Sequence, residues 1–238
     1  MRGRIDTGAL PYGVGAIGLG LVTIHFHRFA LQWQPVPASV PANFAWISGL
    51  VLLAGGIAAL TRGAGAARLL LPAYYFLWVV ALHAPAVARA PSVGSLLGLA
   101  EILALASGGT ALVASGRGAR GWLGPAARMA FGLSALVFGL SHFVYTDLTA
   151  AMVPGWIPHK LYWAYATGAA HAAAGLAILS GIAGRLAATL LAVMAGGFVV
   201  LLHIPRVAAA PSSQLEWTML FIATSIAGAA LLVRRWLR

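Results

Sequence analysis

The chain has 238 residues, of which 61% are hydrophobic and 8% are charged, and its mean hydropathy is +0.90. Soluble domains carry roughly 25% charged residues, so this composition excludes a water-soluble globular protein. The formal net charge of +11 comes from arginines that stand singly between apolar runs, which argues against a nucleic-acid partner, and the lack of cysteine excludes disulfides, thiolate metal sites and haem attached through cysteine.

Apolar runs of about 20 residues recur along the chain, and a helix of that length crosses a bilayer core of roughly 30 Å. Because lipid cannot satisfy backbone polar groups, each run must be helical. We predict an all-α, polytopic membrane protein with eight transmembrane helices. The first run lacks a small-residue cleavage site, so it is predicted to be a retained helix rather than a signal peptide. The spans are predicted near residues 9–31, 42–61, 68–88, 95–115, 125–146, 160–183, 186–206 and 215–234.

Basic residues are distributed unequally between the two sides of the predicted membrane. One side has only Arg28, Arg89, Lys160 and Arg206. The loops are short, which is the regime in which the richer side is cytoplasmic. Both termini are therefore predicted to be cytoplasmic in a multi-pass protein of a prokaryotic plasma (inner) membrane. The richer side consists of Arg2, Arg4, Arg62, Arg68, Arg117, Arg120, Arg128, Arg185, Arg234, Arg235 and Arg238.

The two halves of the chain resemble each other, which predicts a tandem duplication. The predicted units are residues 1–116 and 123–238, each a four-helix membrane repeat. Since each has an even number of spans, the copies are parallel repeats related by an axis along the membrane normal. At a separation of 117 residues, or of 120 after a three-residue insertion, the matching pairs are His25 and His142, Trp46 and Trp163, His83 and His203, and Pro85 and Pro205.

The second half contains a set of short motifs that resembles the DoxX-like four-helix membrane proteins. The motifs are Gly139-Leu-Ser-His142-Phe143, Met152-Val-Pro154-Gly-Trp-Ile-Pro158, Tyr165-Ala-Thr-Gly168 and Ala174-Gly175-Leu-Ala-Ile-Leu179. The resemblance implies a four-helix bundle in each half, and some members of the family are linked to quinone-dependent sulfur oxidation. The chain departs from the family pattern at His171, where an acidic residue is expected.

Ionisable side chains inside a bilayer cost roughly 2.5–3.5 kcal/mol at a helix centre, so those in predicted spans are candidate functional residues. His25 and His83, and likewise His142 and His203, are predicted on the first and third helices of each half, toward the outer face. Facing imidazoles in a bundle can hold a metal or a cofactor. We predict these four as metal ligands and, together with His171, as cofactor-binding residues.

Two acidic residues are predicted as catalytic proton acceptors for this site, Glu101 within the fourth span and Glu216 at the start of the eighth. The alternative for Glu216 is a helix-end role, because Ser212 and Ser213 precede it as possible caps. Structural hydrogen bonds between helices are the alternative for the histidines.

Three functions fit these residues. The first is a membrane oxidoreductase that binds a quinone, a haem or a copper-like metal at the histidines, with the lipid bilayer and a quinone or a membrane redox partner as its partners. The second is a transporter whose halves move about a central site. The third is a non-catalytic assembly subunit of a membrane complex.

Overall fold

The computed structural model describes residues 5–116 and 118–238, and its regular structure is helical throughout this part of the chain. The prediction of an all-α protein is therefore confirmed. The predicted basic residues Arg2, Arg4 and Arg117 lie outside the described residues. The α-helices are α1 (Leu10–Phe26), α2 (Ala45–Leu60), α3 (Leu70–Trp78), α4 (Ala84–Arg89), α5 (Val93–Ala114), α6 (Leu123–Val144), α7 (Thr146–Met152), α8 (Lys160–Ser180), α9 (Gly184–Phe198), α10 (Ile204–Ala209) and α11 (Gln214–Val233).

Seven helical segments of the described residues are long and apolar enough to cross a membrane, which supports a multi-pass membrane protein. The helix α8, which has 21 residues, is not among them. The seven candidate segments are Thr7–Phe26, Ala42–Leu60, Gly65–Arg89, Val93–Ala114, Leu123–Val144, Gly184–Ala209 and Gln214–Trp236.

The first span ends earlier than predicted. The helix α1 stops at Phe26 because His27 adopts a left-handed conformation, with φ of 51°. The chain then folds back, and a short 3₁₀ helix, Leu31–Trp33, buries the Trp33 side chain. Residues 27–31 therefore lie outside the span to which the hydropathy pattern assigned them.

Two long segments contain a π-helical turn at matching places. The turn Val79–His83 joins α3 to α4, and Val199–His203 joins α9 to α10, 120 residues later in the chain. Each turn ends in a histidine, and a proline, Pro85 or Pro205, follows two residues on. A proline cannot donate to the preceding turn and its ring crowds the carbonyl there, so the backbone widens locally.

The helices pack as neighbours around a centre formed by α5 and α11. Within the first half α1 contacts α2, α2 contacts α3, and α3 contacts α5, while in the second half α6 contacts α8, α8 contacts α9, and α9 contacts α11. The halves join where α1 packs on α11, α5 packs on α6, and α5 crosses α11. The contacts between the two halves of the chain are therefore made mainly by α1, α5, α6 and α11.

Ion pairs connect distant segments of the chain on the predicted cytoplasmic side. Asp6 is buried, and its two carboxylate oxygens accept from Arg68 at 3.3 Å and from Arg235 at 3.4 Å. The Asp6 amide also donates to the Leu60 carbonyl at 2.8 Å. These contacts connect the segment before α1, the α2–α3 connection and the end of the chain.

Candidate functional site

The seven histidines differ in burial, which separates candidate site residues from surface residues. His83, His171 and His203 are buried and His142 is half-buried. The remaining three, His25, His27 and His159, are exposed.

Four glycines bring α6 and α8 together. A Cβ atom on Gly139 would lie 2.8 Å from the Ala172 amide nitrogen and 2.9 Å from the Gly168 carbonyl oxygen. On Gly175 it would lie 2.9 Å from the Gly132 carbonyl oxygen. Only glycine permits this approach, so these four glycines allow α6 and α8 to pack closely.

This crossing sets two imidazole rings side by side. His142 follows Gly139 by one turn of α6, and its own Cβ lies 2.8 Å from where a Cβ of Gly168 would stand. His171 lies one turn after Gly168 on α8. The two ring centres are 5.0 Å apart, with a tilt of 41° between the ring planes.

Both rings of the pair use Nδ1 to contact α8. The His171 Nδ1 lies 2.9 Å from the Thr167 carbonyl oxygen. His142 Nδ1 lies 3.0 Å from the Thr167 hydroxyl and 3.3 Å from the Ala164 carbonyl oxygen. Since the Thr167 hydroxyl donates to the Trp163 carbonyl at 2.7 Å and carbonyl oxygens only accept, the proton in each neutral ring belongs on Nδ1. Each Nε2 is then left with a lone pair, the orientation in which imidazoles bind metals and hydrogen-bond donors.

Aromatic side chains enclose His171. Phe138 of α6 meets its ring edge-on at 5.7 Å, and Phe198 of α9 stacks on it at 6.3 Å. These two phenylalanines were not among the predicted site residues, because phenylalanine is common throughout an apolar chain and its spacing alone does not distinguish a site. The His142–His171 pair thus has apolar walls on α6 and α9.

A surface hollow lies at the start of α8, at the outer side of the predicted membrane. It has a volume of about 640 Å³ and is lined by residues that include Trp156, Tyr162 and Trp163. Trp163, Thr167 and His171 follow one another at four-residue spacing, so they share one face of α8. The hollow therefore lies at the N-terminal end of the α8 face that carries Thr167 and His171.

His25 does not belong to a corresponding pair in the first half, and this corrects the prediction. In the crossing of α1 with α2, a Cβ on Gly20 would lie 2.6 Å from the Gly49 carbonyl oxygen, which matches the contact of Gly139 with Gly168. These glycines are separated by 119 residues rather than 117. The position that packs like His142 is therefore Thr23, while His25 lies about 200° further round the helix and is exposed.

A separation of 119 residues also matches His171 of α8 with Leu52 of α2, and Leu52 is fully buried. The first half consequently has no imidazole at either position of the pair. A sequence comparison anchored on the crossing glycines, rather than on the His-Phe dipeptides, would have given this register.

His83 has a separate environment in the first half. Its Nε2 lies 2.9 Å from the Trp33 carbonyl oxygen, and its Nδ1 lies 3.2 Å from where a Cβ of Gly98 would stand. Glu101, one turn beyond Gly98 on α5, is half-buried, and its carboxyl group is next to the Trp33 indole. Trp33 therefore lies next to both His83 and Glu101.

Glu216 is paired, which argues against its predicted role as a free proton acceptor. Its two carboxylate oxygens accept from Arg206 Nε at 2.8 Å and from Arg206 Nη2 at 2.6 Å. The Ser213 hydroxyl accepts from the Glu216 amide at 3.4 Å, so the predicted alternative, a helix-capping position, is the one that the structure contains. His203 is buried beside this pair, and its Nδ1 has no hydrogen-bond partner among the described residues.

The predicted metal site of four histidines is not formed. Among the described residues, no three or more His, Asp or Glu side chains are grouped so that they could hold a metal ion. His25 is exposed, and His83 Nε2 contacts the Trp33 carbonyl oxygen. Of the predicted cofactor-binding residues, the structure brings only His142 and His171 into direct ring contact.

Comparison with known proteins gives one match. Residues 131–224, which are less than half of the chain, match a family model described as a domain of unknown function, DUF8561. The matched segment contains both His142 and His171. No curated protein and no solved structure matches the chain.

Proposed function

We propose that this protein is a membrane component of an oxidoreduction that binds the reduced, hydroxyl-bearing form of a quinone-type carrier at His142 and His171. The observation that carries the proposal is that both rings direct Nδ1 to oxygen atoms of α8, at 2.9–3.3 Å. Two adjacent Nε2 lone pairs are then available to accept hydrogen bonds from one ligand. A quinol offers hydroxyl donors, whereas the oxidised quinone has only carbonyl acceptors.

Ring separation distinguishes this ligand class from a haem. With metal–nitrogen bonds of about 2.0–2.1 Å, two imidazoles on opposite sides of one iron would hold their ring centres about 6.4 Å apart. The observed separation is 5.0 Å. Two imidazoles at a tetrahedral angle on one metal would be about 5.2 Å apart, but a metal site needs further protein ligands, and the described residues supply none nearby.

The surroundings of the pair suit an aromatic ligand that arrives from the lipid phase. Phe138 and Phe198 flank His171 with ring faces and edges. The hollow at Trp156 and Trp163 opens at membrane-interface level on the same helix. Apolar walls with a few convergent polar atoms are the usual composition of a small-molecule site.

Binding measurements test the proposal directly. The purified protein in lipid nanodiscs is titrated by calorimetry with a short-chain benzoquinol, and separately with the matching benzoquinone. Quinone binding leaves an imidazole acceptor unpaired at a cost of about 1–3 kcal/mol, so we expect the quinol to bind roughly 5- to 150-fold more tightly. His142→Phe and His171→Phe should abolish quinol binding.

His25→Phe is the matched control, since His25 also precedes a phenylalanine near the end of a span but is exposed. This variant should bind the quinol as the unmodified protein does. Equal affinity for quinol and quinone, or equal loss of binding in His25→Phe, would contradict the proposal. Tight binding of Zn²⁺ with no quinol binding would overturn it in favour of a metal site.

The proposed topology has eight spans, with α8 as the additional one, both termini cytoplasmic, and two parallel repeats. At 1.5 Å per residue the 21 residues of α8 extend about 31 Å, enough to cross the apolar core. Contacts of α8 with both α6 and α9 support its place among the spans. The two π-helical turns 120 residues apart support the repeat, and the motifs of residues 139–179 support a relationship to the DoxX-like proteins.

Single cysteines test this topology, because the chain has no cysteine of its own. Ser39→Cys and Ser115→Cys change exposed residues in the connections predicted on opposite sides. In intact cells, a membrane-impermeant maleimide should label the cysteine at position 39 and leave that at position 115 unlabelled until the membrane is opened. The reverse pattern would refute the orientation.

A further inference from the structure

Three buried hydrogen-bond donors in the first half have no partner among the described residues. They are Trp33 Nε1, Tyr75 Oη and Trp78 Nε1. The exposed fractions of these side chains are 2%, 0% and 2%. Buried donors are nearly always satisfied, and each one left unpaired costs about 1–3 kcal/mol. Tyr75 and Trp78 lie within one turn of α3, and these two neighbouring donors point to a bound group that accepts hydrogen bonds.

Tyr75 and Trp78 lie together on α3, which leads to His83, and Trp33 lies beside both His83 and Glu101. The rings of Tyr75 and Trp78 are in edge-to-face contact at 5.4 Å. Trp33 connects to both ionisable groups, because its carbonyl contacts His83 Nε2 at 2.9 Å and its indole is next to the Glu101 carboxyl group.

The register of α3 against α5 puts Glu101 among the same residues. These helices are antiparallel, with Gly109 against Pro72 at one end and Gly98 against His83 at the other. Interpolation between these contacts puts Glu101 level with Val80, within a turn of both Trp78 and His83. Glu101 begins the third turn of α5, about 12 Å along its axis from Val93.

Glu101 differs from the other acidic residues inside the protein. Asp6 is paired with arginines, and Glu216 is paired with Arg206. Glu101 makes no ion pair with the described residues, and on α11 the residue at its level, judged from the contact of Gly108 with Ala229, is Ile222. A carboxyl group at this depth needs hydrogen-bond partners, whether or not it carries a charge.

The cluster needs a ligand that both donates and accepts hydrogen bonds. The Trp78 indole and the Tyr75 phenol require an acceptor, whereas the Trp33 indole is beside the Glu101 carboxyl group. Glu101 accepts, and so does His83 Nδ1, since the Nε2 proton is committed to the Trp33 carbonyl. Water meets both requirements, and buried waters typically make about three such bonds to otherwise unsatisfied groups.

We propose that the first half contains an ordered water cluster that joins Trp33, Tyr75, Trp78, His83 and Glu101 and hydrates Glu101 within the membrane. A polar chain leads toward it from the outer side. Ser48 donates to the Gln34 side chain at 3.0 Å, and Gln34 donates to the Tyr74 hydroxyl at 3.2 Å. Gln34 is the chain neighbour of Trp33, and Tyr74 is in ring contact with Trp78 at 5.2 Å. This hydrated site is separate from the His142–His171 pair.

Hydroxyl-radical labelling by pulsed X-ray radiolysis tests the proposal, because radicals formed from bound water oxidise the side chains that water touches. The intact protein in nanodiscs is irradiated in ¹⁸O-labelled water, and oxidation is located by mass spectrometry. Tyr12 is the matched control, since it is also 0% exposed but donates its hydroxyl to the Leu105 carbonyl at 2.8 Å. We expect Tyr75, Trp33 and Trp78 to be oxidised several-fold faster than Tyr12.

Replacing the carboxyl group gives a second measurement. Glu101→Leu should reduce labelling of Tyr75 and Trp78 toward the rate of Tyr12, and Glu101→Gln, which keeps the shape and an acceptor, should preserve it. If Tyr75 and Trp78 are labelled no faster than Tyr12 in the unmodified protein, the water cluster is refuted. If they are labelled faster but Glu101→Leu changes nothing, the proposal fails because the water is not held by Glu101.

Discussion

Gly139→Ala tests the crossing that brings His142 and His171 together. The added Cβ would stand 2.8 Å from the Ala172 amide nitrogen and 2.9 Å from the Gly168 carbonyl oxygen. Ordinary contact begins near 3.4 Å, so α6 and α8 would have to separate by about 0.5 Å. Both opposing atoms are backbone atoms, and no side-chain rotation can relieve the overlap.

The size of the effect follows from two opposing terms. Alanine in place of glycine stabilises a helix interior by about 1 kcal/mol. Overpacking typically costs about 1–3 kcal/mol, and a backbone contact belongs at the upper end of that range. We therefore expect a net loss of about 2 kcal/mol in the free energy of unfolding. For a chain of this length that corresponds to a decrease of about 4–8 °C in Tm.

Thermal unfolding followed by tryptophan fluorescence measures the change, with Gly196→Ala as the matched control. Gly196 also lies within a long apolar helix, but no atom lies within 4 Å of where its Cβ would stand. The control should gain about 1 kcal/mol and unfold about 2–4 °C higher. If both variants gain stability equally, α6 and α8 do not cross at Gly139, and the contact between the His142 and His171 rings is refuted as well.

Three further substitutions test other contacts. Arg206→Gln leaves the buried Glu216 carboxylate unpaired and should lower the free energy of unfolding, measured with a chemical denaturant, by about 1–3 kcal/mol. Adding Glu216→Gln should restore most of this loss, and additive losses in the double variant would show that the two side chains do not interact. Asp6→Asn removes the common partner of two arginines and should lower stability by about 1–2 kcal/mol at low salt and by less at high salt, and no salt dependence would refute the contact. Thr23→His combined with Leu52→His should create a second quinol site by calorimetry, and an unchanged stoichiometry of binding would refute the 119-residue register.

Much of the fold could be predicted from the sequence because the bilayer imposes it. Lipid requires helices of a certain length, and the hydropathy pattern records where they lie. The errors occur where local chemistry overrides hydropathy. The sequence predicts a first span that continues to residue 31, but the chain turns at His27 and folds Trp33 inward. The helix α8 is 21 residues long, but its polar and aromatic residues lower its mean hydropathy, and it is not among the seven candidate spans.

The candidate site was only partly predictable, because repeat spacing identifies similar residues but not the direction in which they point. The dipeptides His25-Phe26 and His142-Phe143 are 117 residues apart, while the glycines that fix each helix crossing are 119 apart. A difference of two residues rotates a helical position by about 200°. His142 therefore faces α8, whereas His25 is exposed.

The same crossing geometry explains why the two halves can carry different polar sites. Each half must keep its glycines, since they set the distance between its first two helices, but the residues one turn away are free to change as long as they fit. In the second half these positions hold His142 and His171, and in the first half they hold Thr23 and Leu52, both buried. In the first half, His83 and Glu101 lie instead on the third and fourth predicted spans. A constant crossing with variable neighbouring residues is thus compatible with both proposals, an aromatic-ligand site in the second half and a hydrated carboxyl group in the first.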